Sequence, residues 1–182
     1  MKFFFAFLLL TLLLIPLLII SILILFTSKG PVIYWSDRIG KNSVIFKMPK
    51  FRTMKVNTPQ VSSAMLEDFD THISLMGGFL RRTSLDELPQ VFSILKGDMC
   101  FVGPRPALFN QFELISLRKI HGIDKFVPGI TGWAQINGRD NLSDAAKVAL
   151  ELEYMANKSF WLDIKILFVT IFKVMLKEGV SH

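Results

Sequence analysis

The sequence predicts a mainly helical fold with a small β element, tied to a membrane by its N-terminus. Three observations carry that prediction. No charge occurs between Phe3 and Phe26, and only Thr11, Pro16 and Ser21 interrupt the apolar run. Helical patterning recurs over residues 89–96, 107–121, 142–158 and 160–177. Compact β-prone runs are confined to residues 32–35 (VIYW) and 44–46 (VIF).

Taken in order, the apolar run comes first. A bilayer core needs roughly 20 apolar helical residues, so the run is long enough to cross. A secretory signal would have an apolar region of about 7–15 residues followed by a small-residue cleavage site. Phe26-Thr27-Ser28-Lys29 offers no such site, so the segment is expected to stay. Residues 1–30 are therefore assigned to the membrane and residues 31–182 to a domain on its surface. Lys29, Arg38, Lys41, Lys47, Lys50, Arg52 and Lys55 crowd the C-terminal flank, which places that flank in the cytoplasm. Lys2 makes the other flank basic as well, and Pro16 can kink the helix midway. From these residues a simple span and a re-entrant helix are both open.

Gly30-Pro31 punctuates the exit from the membrane. The two β-prone runs around Gly40-Lys41-Asn42-Ser43 read as a hairpin. Met65-Leu66-Glu67-Asp68-Phe69 suggests a helix, and Gly77-Gly78 a break. In residues 89–96, Pro89 stands at the first helical position and Gly97 just past the end. Gly103-Pro104-Arg105-Pro106 and Pro128-Gly129-Ile130-Thr131-Gly132 read as loops that bring backbone close to a ligand. Helices follow at 107–121 and 142–158, the latter opened by Ser143 or Asp144. In residues 160–177, Asp163, Thr170, Lys173 and Lys177 share one polar face. Phe160, Trp161, Ile164, Leu167, Phe168, Ile171, Phe172 and Leu176 form a wide apolar remainder, and Lys165 does not fit the stripe. Either a core-packing helix or one lying in the membrane interface has this pattern, and the anchor favours the interface.

The bulk composition narrows the function. The chain carries a net charge of +6 and a mean hydropathy of +0.44. Setting aside Lys2 and Lys29, the remaining 19 basic residues face 15 acids. That surplus suits anionic lipid or a phosphorylated substrate. No basic run carries interleaved aromatics, so nucleic acid is not an expected partner. Cys100 is the single cysteine, which excludes an intrachain disulfide. His72, His121 and His182 lack zinc-ligand spacing. Neither His72 nor His121 is followed by an Asp at the fixed spacing a membrane acyltransferase would need, the residue five after His121 being Phe126. One apolar segment is too few for a polytopic transferase.

Thr83-Ser84-Leu85-Asp86-Glu87-Leu88-Pro89-Gln90 places two acids side by side. Ser84 to Glu87 fits a capping box, in which Ser84 caps a helix and Glu87 reaches back to its N–H. Pro89 fits that account less well than a short turn at 84–87 before a helix beginning at Pro89. On the second account the carboxylates sit at a junction where they could do chemistry. A carboxylate can trap a phosphoryl group, and one or two carboxylates with substrate phosphates commonly hold Mg²⁺. Forked guanidiniums would neutralise phosphate oxygens, and Arg81, Arg105 and Arg139 lie in suitable stretches.

Taken together, Lys50-Phe51-Arg52-Thr53-Met54, the block TSLDELPQVFSILKGDMCFVGPRP at 83–106, PGITGWAQINGRD at 128–140 and Trp161-Leu162-Asp163-Ile164-Lys165 resemble the bacterial sugar transferase family. These are the monotopic phosphoglycosyl transferases that begin glycan assembly on a polyprenyl carrier. The resemblance implies a mainly α fold with an N-terminal re-entrant helix and interfacial amphipathic helices, on the cytoplasmic face of the inner membrane. It implies transfer of a sugar 1-phosphate from a UDP-sugar, such as an N-acetylated amino sugar, to polyprenyl phosphate, with release of UMP. Asp86 would be the nucleophile and a ligand of the required Mg²⁺, and Glu87 its partner. Lys50, Arg81, Arg105 and Arg139 would bind substrate phosphate. The chain departs from the family pattern at Ile15-Pro16, at Tyr34-Trp35-Ser36-Asp37 and at Pro49. The alternative is an inactive membrane-anchored scaffold of the same fold, which would predict a broken acid pair or lost arginines.

Overall fold

A computed structural model describes residues 2–56, 58–59, 69–138 and 142–176 of the protein. Among these, helices dominate and two small two-stranded sheets complete the fold. The chain divides into two compact units, Met1–Ser36 with Lys47–Leu95, and Asp37–Phe46 with Lys96–Ser181.

In the first unit, α1 (Lys2–Thr27) is a helix of 26 residues with Pro16 inside it. The hydroxyls of Thr11 and Ser21 donate back to the carbonyls of Leu8 and Leu17, so neither is left unsatisfied on an apolar helix. Ile20 and Ile24 are buried against Phe51 and Leu80, with Leu17, Leu85 and Leu88 packed around them. Much of the remaining circumference, including Phe4, Leu12, Ile15, Leu18 and Phe26, is exposed.

The predicted hairpin is present but longer than its apolar runs. Strand β1 (Ile33–Ile39) pairs with β2 (Ile45–Phe51) across a 3₁₀ turn at Lys41–Ser43. Polar Ser36, Asp37, Arg38 and Lys47 continue the strands because backbone pairing, rather than side-chain apolarity, carries the ladder. Pro49 is accommodated because each strand of a two-stranded sheet has a free edge.

Most of the expected helix at 65–69 lies outside the described residues; helix α2 covers Phe69–His72. Gly77 opens helix α3 (Gly77–Arg82) instead of breaking the chain. A Cβ at Gly77 would stand 1.9 Å from the Thr53 carbonyl oxygen, so glycine is needed for close approach. After the acidic turn, α4 (Val91–Lys96) stops at Gly97, whose φ of 92° suits glycine.

The second unit is built around two short strands, one in a stretch read from sequence as a loop and the other in a stretch left unassigned. Strands β3 (Cys100–Val102) and β4 (Gly129–Thr131) pair in parallel, Cys100 opposite Gly129 and Val102 opposite Thr131. Three residues are too few to display an alternating pattern. Helix α5 (Phe112–Ile120) begins later than expected, because Leu108 forms an antiparallel bridge with Arg38. A short helix α6 (Trp133–Ile136) follows β4. Helix α7 (Asp144–Asn157) starts where predicted, the Ser143 hydroxyl accepting from the Ala146 amide at 3.2 Å.

Helix α8 (Phe160–Leu176) docks with its polar side inward. The Tyr154 hydroxyl donates to Asp163 Oδ1 at 2.6 Å, and the hydroxyls of Thr170 and Thr131 lie 2.7 Å apart. Burial and the Asp163 carboxylate together push the Tyr154 phenol well above its usual range. Lys165, off the stripe in sequence, lies over the Trp133 ring. Ile166 is fully buried with Val102, Ile136 and Tyr154, whereas Phe160, Trp161, Ile164, Phe168, Ile171 and Phe172 are exposed.

Candidate active site

The acidic stretch forms a 3₁₀ turn, Leu85–Gln90, between α3 and α4. Pro89 has no N–H, so an α-helix running through Leu85 would lose a bond there, and the tighter turn results. Side chains three apart eclipse in such a turn. Leu85 and Leu88 accordingly enter the core beside Phe51 and Leu80. Asp86 is buried at 9% exposure, next to buried Pro89 and Gln90.

The capping box is not formed. Ser84 is left-handed (φ 54°, ψ 17°) and its hydroxyl makes no cap bond. Its amide donates to the Arg81 carbonyl at 3.0 Å, so the N–H that Glu87 would have satisfied already has a partner. The Glu87 carboxylate instead accepts from Lys50 Nζ at 2.8 Å. Both side chains are largely out of water, 14% exposed for Lys50 and 18% for Glu87. Lys50, expected against a substrate phosphate, thus has a carboxylate partner from the acidic turn.

Arg81 is half-buried in the last turn of α3, leading into the acidic turn. The first unit therefore gathers Lys50, Arg81, Asp86 and Glu87. Among the described residues no three His, Cys, Asp or Glu side chains come together as a self-sufficient metal site. The oxygen donors of Asp86 and Glu87 fit Mg²⁺, which typically takes one or two carboxylates and completes its shell with substrate phosphate and water.

Arg105 belongs to the second unit. Pro104 and Pro106 are buried on either side of it, and the Pro106 carbonyl accepts from Arg38 Nη1 at 3.1 Å. Gly103, Gly129 and Gly132 lay this loop against β4, backbone on backbone. A Cβ at Gly129 would fall 2.2 Å from the Gly103 nitrogen, and one at Gly132 would fall 2.2 Å from the Gly103 oxygen. Arg105 lines a cavity of about 30 Å³ with Ser43, Arg118, Asp124 and Phe126, large enough for water and too small for a nucleotide. Arg139, the remaining predicted arginine, lies outside the described residues.

One charged pair escaped the sequence reading. Arg118 on α5 and Glu151 on α7 form a buried two-bond ion pair, Nε to Oε2 at 2.8 Å and Nη2 to Oε1. Its signal was available: each charge falls on an apolar stripe, Arg118 four residues after Leu114 and Glu151 three after Val148.

Residues 1–177 match the family profile described as Bacterial sugar transferase. The chain belongs to that family. It is 42% identical over 181 residues to the UDP-glucose:undecaprenyl-phosphate glucose-1-phosphate transferase of Escherichia coli, a match covering 96% of this chain and 39% of the relative. The undecaprenyl-phosphate galactose phosphotransferase of Salmonella typhimurium is 37% identical over 82% of this chain and 34% of its own length. The Bacillus subtilis sugar transferase EpsL is 38% identical, over 89% of this chain and 82% of its own length. This bacterial sugar transferase thus spans between a third and two-fifths of the two larger relatives and most of the smaller one.

Proposed function

We propose that this sugar transferase moves a sugar 1-phosphate from a UDP-sugar to a polyprenyl phosphate, through a covalent intermediate on Asp86. The observation that carries the reading is an acid pair that no capping box holds. Asp86 is buried in a strained turn, and Glu87 is turned away from any capping role. The names of the Escherichia coli and Salmonella relatives, which act on undecaprenyl phosphate, supply the substrate class.

In this scheme an Asp86 carboxylate oxygen attacks the sugar-bearing phosphorus. The bond to the bridging diphosphate oxygen breaks, UMP departs with that oxygen, and an aspartyl phosphosugar remains. An oxygen of polyprenyl phosphate then attacks the same phosphorus, which releases Asp86 and leaves the sugar on a lipid diphosphate. One site thereby serves a water-soluble and a lipid-soluble substrate in turn. Attack by an anion on a diphosphate meets charge repulsion. Mg²⁺ held by Asp86 and the substrate phosphates would offset it when bound. Arg81, Arg105 and Arg139 are proposed as phosphate ligands on the chemistry of the guanidinium fork.

We further propose a monotopic arrangement at the cytoplasmic face of the inner membrane. Helix α1 would be about 39 Å long if straight. Its second half, however, packs through Ile20 and Ile24 into the core of the first unit. The portion from Phe3 to Pro16 measures about 21 Å, short of the roughly 30 Å hydrocarbon core. That supports a helix whose N-terminal half enters one leaflet without crossing the other, and Pro16 is where a re-entrant bend would fall. The exposed apolar face of α8 supports a second contact in the interface.

The test of the chemistry is trapping. With sugar-labelled UDP-sugar and no acceptor, wild type should retain label, and added polyprenyl phosphate should discharge it. Asp86→Asn keeps shape while removing the anionic oxygen, so it should take no label. Label retained on Asp86→Asn would exclude Asp86 as the nucleophile.

A further inference from the structure

Building on the transferase reading, we infer that Lys50 is a positioning residue that fixes the Glu87 carboxylate beside Asp86, and not a ligand of substrate phosphate. The two residues lie 37 positions apart in sequence, and the fold brings them to 2.8 Å. Several features of the first unit make that meeting reproducible. Phe51, next to Lys50, is buried with Leu80 and packs against Leu85 and Leu88 of the acidic turn, so strand β2 and the turn share one core. Pro49, buried on the other side of Lys50, fixes the backbone just before it. Lys50 is thereby clamped at both neighbours.

The acidic turn supplies the complementary half. A serine-to-glutamate capping box would hold the Glu87 side chain back against Ser84. The left-handed Ser84 has its amide on the Arg81 carbonyl, so that anchorage does not form. A glutamate side chain has three rotatable χ bonds and hence many rotamers. Lys50 selects one. Because both side chains are more than four-fifths out of solvent, water competes poorly for either partner. Residues that orient an active group through one hydrogen bond leave substrate affinity nearly intact and lower turnover.

The experiment is a kinetic double-mutant cycle on the full chain, using Lys50→Met, Glu87→Gln and the double variant, with Lys50→Arg alongside. UMP release is followed with undecaprenyl phosphate and whichever of UDP-glucose, UDP-galactose, UDP-N-acetylglucosamine or UDP-N-acetylgalactosamine wild type accepts. Melting curves verify that each variant folds. We expect Lys50→Met to lower kcat about 10–100-fold while the donor KM stays within about twofold. The double variant should be no slower than the worse single variant, because the two residues act as a unit. Lys50→Arg should recover part of the lost kcat, since guanidinium can also donate to Glu87. A large rise in donor KM with kcat retained would make Lys50 a phosphate ligand and overturn the inference. So would losses that multiply in the double variant. Absence of UMP release by wild type with every donor would instead remove the transferase reading, and the positioning role with it.

Discussion

Arg118→Met tests how the second unit holds its shape. Arg118 and Glu151 have side chains 10% and 4% exposed and join α5 to α7. An exposed pair would contribute at most about 1 kcal/mol. Removing one member of a buried pair costs about 3–5 kcal/mol, since the other charge stays buried without a partner. At this chain length that corresponds to a fall in Tm of about 6–20 °C. Burial already raises the Glu151 carboxyl above its ordinary value near 4.5, against the opposing pull of Arg118. In the variant that opposing pull is gone, so the folded-state pKa rises further. An acid with a raised folded pKa binds its proton more tightly in the native state. Stability therefore falls as pH climbs from the unfolded value through the folded one, and the loss is complete above both. Thermal melts of Arg118→Met against wild type should show a smaller deficit at about pH 5 than at about pH 8. Equal deficits at the two pH values, or a total loss under about 1 kcal/mol, would refute the argument. Because Arg118 and Arg105 line the same small cavity, UMP release should fall with the melting temperature.

Two further predictions concern the loop and the membrane. Gly129→Ala places a methyl 2.2 Å from the Gly103 nitrogen, so it should destabilise by about 1–3 kcal/mol and displace the loop bearing Arg105, read by melting and UMP release. For the membrane arrangement, a cysteine at residue 2 should be closed to an impermeant thiol reagent in intact cells. Brominated lipid should quench the fluorescence difference between wild type and Trp161→Phe. External labelling of residue 2, or an unquenched Trp161, would remove the corresponding contact.

Long apolar patterns made most of the helical frame legible. Residues 2–27, 144–157 and 160–176 are helices close to where the patterning placed them. What escaped was short or glycine-rich. Strands β3 and β4 have three residues each, and α3 opens at a glycine. In both cases tertiary contact overrides local preference: Gly77 seats a helix on the Thr53 carbonyl, and Gly103, Gly129 and Gly132 let two loops pack backbone to backbone. The apolar stripe of α8 did not by itself decide its orientation, for a different reason. A stripe of Phe, Ile and Leu says only that one face avoids water, and both a core and a lipid surface satisfy that. The structure turns the polar groups inward, Asp163 to Tyr154 and Thr170 to Thr131, and leaves Phe168 and Phe172 exposed.

The acid pair shows how one backbone amide can separate a structural motif from a reactive one. Ser84 to Glu87 satisfies the capping-box pattern, and a cap contributes about 1 kcal/mol. That preference assumes a helix whose first amides lack acceptors. Here α3 ends only two residues before Ser84, and its Arg81 carbonyl takes the Ser84 amide at 3.0 Å. With that amide satisfied, the box has nothing to stabilise. Ser84 can adopt a left-handed conformation, and the strain of that conformation is borne by the flanking elements. The Glu87 carboxylate must then find another donor or remain partly buried and unpaired, which is costly. Lys50 supplies the donor from a strand 37 residues away. The pairing depends on the chain reversal that ends α3, on Pro89 tightening the turn, and on Phe51 bringing β2 to it. Only the fold brings these three together, so the sequence pattern alone left both readings open.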